Sequence, residues 1–171
     1  MVHGSGNPNW MTERDGVRPM GMYTELSIGV KLRKDTPDET IQALTFMASN
    51  DWPKEVPDPL PWPSHPLFET ERWVFMLRGW SYYFDRKPSL LWSLDDIAHR
   101  WFLAVTANIK NYGNEWGLFL DWLAPWVETR GFIGHTRYEE DDEPTLLYAD
   151  GQKIHYRHLD VWQPQKEKVK A

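Results

Sequence analysis

The histidines are the residues of this chain with the most obvious capacity for acid–base or metal chemistry. The chain has six, and His135 and His155 lie in strand-like segments that could approach each other across one intervening strand. No third ligand accompanies them, and His155 and His158 fall on opposite faces of a straight strand. A structural zinc site would show clustered Cys and His, whereas the chain has no Cys. The sequence therefore predicts no metal site and no cofactor.

Carboxylates and nucleophile motifs do not indicate catalysis either. Glu69, Glu71, Asp95 and Asp96 lie in segments typical of solvated loops, and a catalytic pair needs two carboxyl groups in different environments facing one cleft. The chain lacks G-x-S-x-G, the phosphate loop G-x-x-x-x-G-K-S/T, and a G-x-G-x-x-G that opens a helix. We therefore predict no catalytic residues and expect that the protein is not an enzyme. An uncharacterised enzyme is the last of the three functional hypotheses considered below.

Two other features favour a binding protein. An acidic run joins two predicted strands and would project as a loop able to meet a basic groove: Glu139, Glu140, Asp141, Asp142 and Glu143. The chain also has eleven Trp, a residue enriched at interface hot spots. We therefore group Trp62 and Trp80 with the acidic run as a hypothetical partner-binding surface. The simpler interpretations are a solubilising loop and rings packed in the core.

The C-terminal strands offer an alternative site. Asp150-Gly151 predicts a two-residue hairpin turn, with Leu147 opposite Ile154 and Phe132 on the helix-facing side. The open face then carries a basic and aromatic set: His135, Arg137, Tyr148, Lys153, His155 and Arg157. Such a face could bind a nucleotide or single-stranded nucleic acid by stacking and phosphate contacts. The net charge of −6 opposes general affinity for phosphate backbones, so we rank nucleic acid below a protein partner.

Hydrophobic periodicity predicts the elements that position these residues. We expect strands at residues 23–33, 73–77, 80–84, 89–94, 100–110, 131–139, 145–149 and 152–158. Thr36 and Glu39 predict a capping box for a helix at 37–49, and Asn114 is placed to cap a second helix that Pro125 ends. The order predicts an α+β fold, a two-layer sandwich of mostly antiparallel sheet with two helices on one face. Its core resembles the ferredoxin-like (split βαβ) arrangement and a C-terminal β-meander follows.

The chain divides into three predicted regions. Residues 1–21 are a flexible N-terminal extension, 22–160 a single α+β domain, and 161–171 a charged C-terminal tail. Within the domain, the proline-rich segment 50–66 predicts an extended crossing anchored by Trp52 and Trp62. No apolar run approaches the roughly 20 residues of a membrane helix. We therefore expect no membrane association and a cytoplasmic location.

Four sequence stretches resemble a group of small uncharacterised proteins from bacteria and their phages. They are M-Y-T-E-L at 22–26, D-T-P-D-E-T at 35–40, H-P-L-F-E-T-E-R-W at 65–73 and D-E-P-T-L-L-Y at 142–148. The resemblance spans residues 22–156 and carries over no activity and no functional residue. It implies a phage- or mobile-element-encoded accessory protein that binds a host macromolecule, first of all a protein. A homodimer through the open sheet face or an edge strand is a further hypothesis.

Overall fold

A six-stranded antiparallel sheet forms one layer of the fold in the computed structural model, which describes residues 23–51, 55–81 and 84–159. The strands are β1 (Tyr23–Lys31), β2 (Ser89–Asp95), β3 (Arg100–Lys110), β4 (Gly131–Tyr138), β5 (Thr145–Ala149) and β6 (Ile154–His158). The helices are α1 (Asp38–Ala48) and α2 (Glu115–Leu123). Short 3₁₀ turns span Pro66–Glu69, Trp73–Phe75 and Ala124–Trp126. The predicted extension, the predicted tail and Trp52 lie outside the described residues.

The strand order is β2-β3-β1-β4-β5-β6, and every neighbouring pair is antiparallel. The first strand in the chain thus lies inside the sheet, between β3 and β4. This confirms the predicted α+β class and the antiparallel sheet with two helices. The arrangement is compatible with a two-layer sandwich, and the finer comparison with the ferredoxin-like fold stays a prediction.

One face of the sheet carries the hydrophobic core. Alternate residues of the neighbouring strands β1 and β3 are buried there: Leu26, Ile28, Val30, Leu103, Val105, Ala107 and Ile109. They share one cluster with helix residues: Ala43, Leu44, Met47, Trp116, Phe119, Leu120 and Leu123. Because both helices pack into the cluster made by the same strand face, they lie on one side of the sheet. The opposite side is called the open face here.

Both helices begin differently from the prediction. No side chain caps α1: the Thr36 hydroxyl donates instead to the Arg33 carbonyl at 2.7 Å, so the predicted capping box is wrong. Asn114 adopts a left-handed conformation and also makes no capping bond with its side chain. Asn111 Oδ1 accepts from the Trp116 N–H at 2.9 Å in its place. The Thr36 hydroxyl thus stabilises the turn before α1, and Asn111 rather than Asn114 accepts from the first turn of α2.

The predicted strand at 73–77 is wrong, and so is the predicted strand at 80–84 where the structure describes it. Trp73–Phe75 forms a 3₁₀ turn, and the ring of Trp73 packs against Trp62 and Phe68 with centroids 5.8 and 5.2 Å apart. Aromatic residues fit strands well, but here their rings fill the core on the helical side. Residues 82 and 83 lie outside the described part of the chain.

The C-terminal hairpin has a longer connection than predicted. Ala149 pairs with Ile154 and Leu147 with Tyr156, because the Asp150 carboxylate accepts from the N–H groups of residues 152 and 153, each at 2.8 Å. The two-residue turn is therefore wrong, and Lys153 lies in the connection rather than on the strand. A shift of two positions preserves the faces of the other residues, since side chains alternate with period two.

Phe132 lies on the opposite face from the one predicted. The register of β4 against β5 shifts between Phe132 and Gly134. An irregularity of this kind turns the following side chains to the other face relative to the preceding ones. The ring of Phe132 consequently packs against Tyr148 with centroids 5.6 Å apart, on the open face.

Candidate partner-binding site

The acidic loop Glu139–Glu143 connects β4 to β5 at one end of the sheet. The Asp141 N–H donates to the Tyr138 carbonyl, and the Glu139 N–H donates to the Tyr23 carbonyl, both at 3.0 Å. These bonds fix the base of the loop to the hairpin and to the start of β1. Glu140, Asp141, Asp142 and Glu143 are exposed. The loop therefore presents four carboxylates on a rigid base, as the sequence predicts for an acidic projection.

The negative charge of the loop acts on its surroundings. Partial burial, together with the charges of Glu140, Glu139 and Asp141, raises the pKa of Tyr138 to about 12. Within residues 23–51, 55–81 and 84–159, no cationic side chain forms an ion pair with the five acids of the loop. The loop thus carries a local negative field that is available to a basic partner.

Trp80 lies at the same end of the sheet, with 60% of its surface exposed. The neighbouring Gly79 fixes it there, because the Gly79 carbonyl accepts from the Asn108 N–H at 3.0 Å near the end of β3. Asn108 pairs with Glu25 on β1, and Glu25 pairs with Arg137 just before the acidic loop. The Gly79 carbonyl binds the edge of β3 that faces away from β1, so three strand spacings, about 14 Å, separate the Gly79 backbone from β4, the strand that leads into the loop.

Tyr112, in the turn between β3 and α2, adds a further half-exposed ring to this end. The guanidinium of Arg72 lies 5.1 Å from the centre of its ring. The hydroxyl group of Tyr112 contributes to the raised pKa of Tyr138, so Tyr112 also lies near the base of the acidic loop. We call the surface formed by Trp80, Tyr112 and Glu139–Glu143 the acidic end. It combines exposed aromatic rings with uncompensated negative charge.

Trp62 does not belong to this surface, so its assignment to a partner-binding site is wrong. The residue is 7% exposed, and its ring lies 5.7 Å from those of Phe46 and Phe68. It anchors the proline-rich segment to the core, which was the simpler interpretation of that segment. Sequence could not separate Trp62 from Trp80, because the burial of each depends on packing between distant segments.

The basic residues assigned to the open face are largely compensated. His135 Nε2 lies 3.3 Å from Glu25 Oε1, and His155 Nε2 lies 2.6 Å from Asp150 Oδ2. Each histidine thus has its own carboxylate, and the two are not brought together as one site. Because a carboxylate lies beside each imidazole, neither histidine adds net positive charge that could attract a phosphate backbone.

The remaining members of that set are dispersed. The Arg137 guanidinium lies 5.2 Å from the centre of the Phe84 ring, and Tyr148 packs against Phe132. Arg157 is exposed on β6, which is the edge strand. Lys153 lies in the connection before that strand. The structure therefore places Arg137, Tyr148 and Arg157 on the open face but does not form them into a continuous basic patch.

Glu25 is a site residue that sequence reasoning missed. Its side chain is almost completely buried on the open face of the interior strand β1. The hydrogen bond from His135 lowers its pKa, burial opposes this, and the positive charges of His135, Arg86 and Arg137 reinforce it. The sequence feature that could have identified Glu25 was a carboxylate within a predicted strand. Its partner could not be known before the order of the strands was known.

Among the described residues, no group of three or more His, Asp or Glu side chains could hold a metal ion. No helix in that part of the chain is both long and apolar enough to cross a lipid bilayer. Comparisons of the chain with protein families, with curated proteins and with solved structures find no match.

Proposed function

We propose that this is a non-enzymatic accessory protein that binds a basic surface of a host protein through the acidic end. The observation that carries the proposal is that the exposed Trp80 lies at the same end of the sheet as the acidic loop, although about sixty residues separate them in the sequence. The resemblance of residues 22–156 to small phage and bacterial proteins supports a host-directed role. The proposal defines the partner by its chemistry: a positively charged surface with a pocket for an aromatic ring.

The two components of the acidic end have different physical roles. Exposed carboxylates attract a basic partner over a distance of about 10 Å at low salt, and so raise the association rate. An indole ring contributes mainly after contact, because burying it displaces water from a large apolar surface. Complexes that use both elements associate quickly and dissociate slowly. Such a surface needs no catalytic group.

Charge reversal tests the proposal. Lysine at Glu140, Asp141 and Asp142 should abolish the capture of partner proteins from a bacterial lysate, because like charges then face each other across the interface. Trp80→Ala should weaken the same interaction by about 2 kcal/mol, or roughly thirtyfold in Kd, if the ring occupies a central pocket. Proteins recovered by wild type and lost in both variants are identified by mass spectrometry, and their affinity is then measured with purified components.

A second charge-reversed variant provides the control. Glu55, Glu69 and Asp96 are exposed and lie outside the acidic end, and replacing them by Lys gives the same change in net charge. This variant should capture the same proteins as wild type. Equal loss in both triple variants would mean that net charge alone drives capture, and unchanged capture by the acidic-end variant would contradict the proposal.

Single-stranded nucleic acid at the open face has less support. His135 and His155 are each paired with a carboxylate, and Lys153 lies away from the strand face. Polyanion binding needs clustered cations whose counterions are released, and the open face does not offer such a cluster.

A further inference from the structure

The open face contains a groove that is separate from the acidic end. Its larger part has a volume of about 340 Å³ and is lined by hydroxyl groups of Ser27, Ser89 and Thr106, by His135 and by Phe132. A second part of about 200 Å³ adjoins it and is lined by Lys31, Leu91 and Phe102. Both parts share the floor residues Gly29 and Ala104. The two parts thus form one shallow depression at the centre of the sheet.

The packing of residues 23–51, 55–81 and 84–159 does not explain the glycine in the floor. A Cβ atom added at Gly29 would meet nothing within 4 Å, and the backbone there does not adopt a left-handed conformation. Gly134, in contrast, has a φ of +148°, and a Cβ there would overlap the Ser27 carbonyl oxygen. Glycine in a strand interior costs about 0.5–1 kcal/mol relative to alanine. A glycine in a strand interior often marks a bulge, a bend, or the close approach of a ligand or another backbone, and the register through Gly29 shows no bulge.

The lining of the groove indicates the chemistry of its ligand. None of its lining residues carries a carboxylate, although the chain has 25 Asp and Glu against 19 Lys and Arg. The ammonium group of Lys31 provides positive charge at one end, 5.8 Å from the centre of the Phe102 ring. Phe132 is 56% exposed at the side of the groove. This combination of a flat floor, aromatic walls and a single ammonium group suits a planar ring that bears an acidic group.

The opposite end of the groove can orient such a ligand. The hydroxyl groups of Ser27 and Thr106 lie 2.9 Å apart and bond to each other. Glu25 holds the ring of His135 from the buried side, so the imidazole has a fixed orientation beside them. Hydroxyl and imidazole groups can donate to or accept from the polar edge of a heterocycle. The groove therefore offers a defined polar end and a cationic end, with an apolar floor between them.

We propose that this groove binds a small planar anion, an aromatic ring carrying a phosphate or a carboxylate. The ring lies over Gly29 and Ala104 beside Phe132, and its acidic group lies at Lys31. Its polar edge meets Ser27, Thr106 and His135. The small floor residues are what allow the ring to reach the backbone of the sheet.

Titration followed by two-dimensional NMR tests the site. The probes are the four 5′-nucleoside monophosphates and anthranilate, which distinguish a phosphate-bearing ligand from a carboxylate-bearing one. We expect at least one probe to shift the resonances of Gly29 and Ala104 in the full-length protein. Gly29→Leu should weaken the binding of that probe at least tenfold, because the new side chain fills the groove. Lys31→Ala should also weaken it, whereas Lys34→Ala, which removes an exposed lysine outside the groove, should not.

Thermal unfolding of the same variants separates ligand binding from folding. Gly29→Leu should unfold at the same temperature as wild type or higher, because its Cβ enters open space. A lower unfolding temperature would show that the fold itself needs this glycine, and would overturn the inference. Failure of all five probes to shift the two floor residues at millimolar concentration would overturn it as well, as would equal binding by Gly29→Leu.

Discussion

Glu25 shows how a single ionisable residue can be kept inside this sheet. A buried carboxylate is tolerated only when other groups compensate its charge. His135 provides a hydrogen-bonding partner, and Arg86 and Arg137 add positive charge nearby. The lowered pKa of Glu25 means that the folded protein favours the ionised form. Its contribution to stability is therefore present above pH 4.5, the ordinary value, and is lost as the pH falls through the lower value of the folded state.

Glu25→Gln tests this pH dependence. At neutral pH the variant should be less stable than wild type by about 2 kcal/mol, since a hydrogen bond to a charged group is replaced by a neutral one. The difference in the free energy of unfolding should shrink as the pH is lowered below 4.5, because Glu25 then takes up a proton in the unfolded chain, and in the folded protein only at a lower pH. Urea unfolding between pH 3 and 7 measures it, with Glu143→Gln as the control for loss of one charge. A difference that stays constant with pH would contradict the role given to Glu25.

The two longest strands were accessible to sequence reasoning. Strict alternation over 23–31 and 100–110 correctly predicted which residues face the core, because apolar side chains fill one face of both strands and the other face carries mostly polar or small residues. The segment 73–77 was predicted wrongly, because its aromatic residues have strand propensity but pack as a cluster. The length of the connection after Ala149 was also missed. It depends on backbone bonds to the Asp150 carboxylate, which a turn motif alone does not reveal.

Two glycines on neighbouring strands should respond oppositely to alanine. Gly134→Ala should destabilise the protein by about 3 kcal/mol or more. The φ of Gly134 is positive, and the new Cβ would overlap the backbone of β1. Gly29→Ala should stabilise the protein by about 0.5–1 kcal/mol, because it removes conformational freedom from the unfolded chain only. Denaturant unfolding of the two variants and of wild type measures both changes in the free energy of unfolding. Equal effects would mean that the strand contacts around Gly134 are not as described.

At the scale of the whole molecule, charge is distributed unevenly. The chain has a net charge of −6, yet its groove is lined without carboxylates while the acidic end concentrates five of them in one loop. The acidic loop could be predicted, since its residues are consecutive. Its location at the same end of the sheet as Trp80, and the burial of Trp62, could not be predicted, because both follow from the order of strands and the packing of the proline-rich segment. A homodimer through the open face or an edge strand stays a prediction.

Site-specific photo-crosslinking tests the acidic end most directly. Benzoylphenylalanine placed at Trp80 should crosslink to a host protein in bacterial cells. The same group at Ile97, which is 95% exposed at the opposite end of β3, should not. Lysine at Glu140, Asp141 and Asp142 should remove the crosslink from position 80. Crosslinking from position 97 alone, or crosslinking from position 80 that survives the charge reversal, would contradict the account.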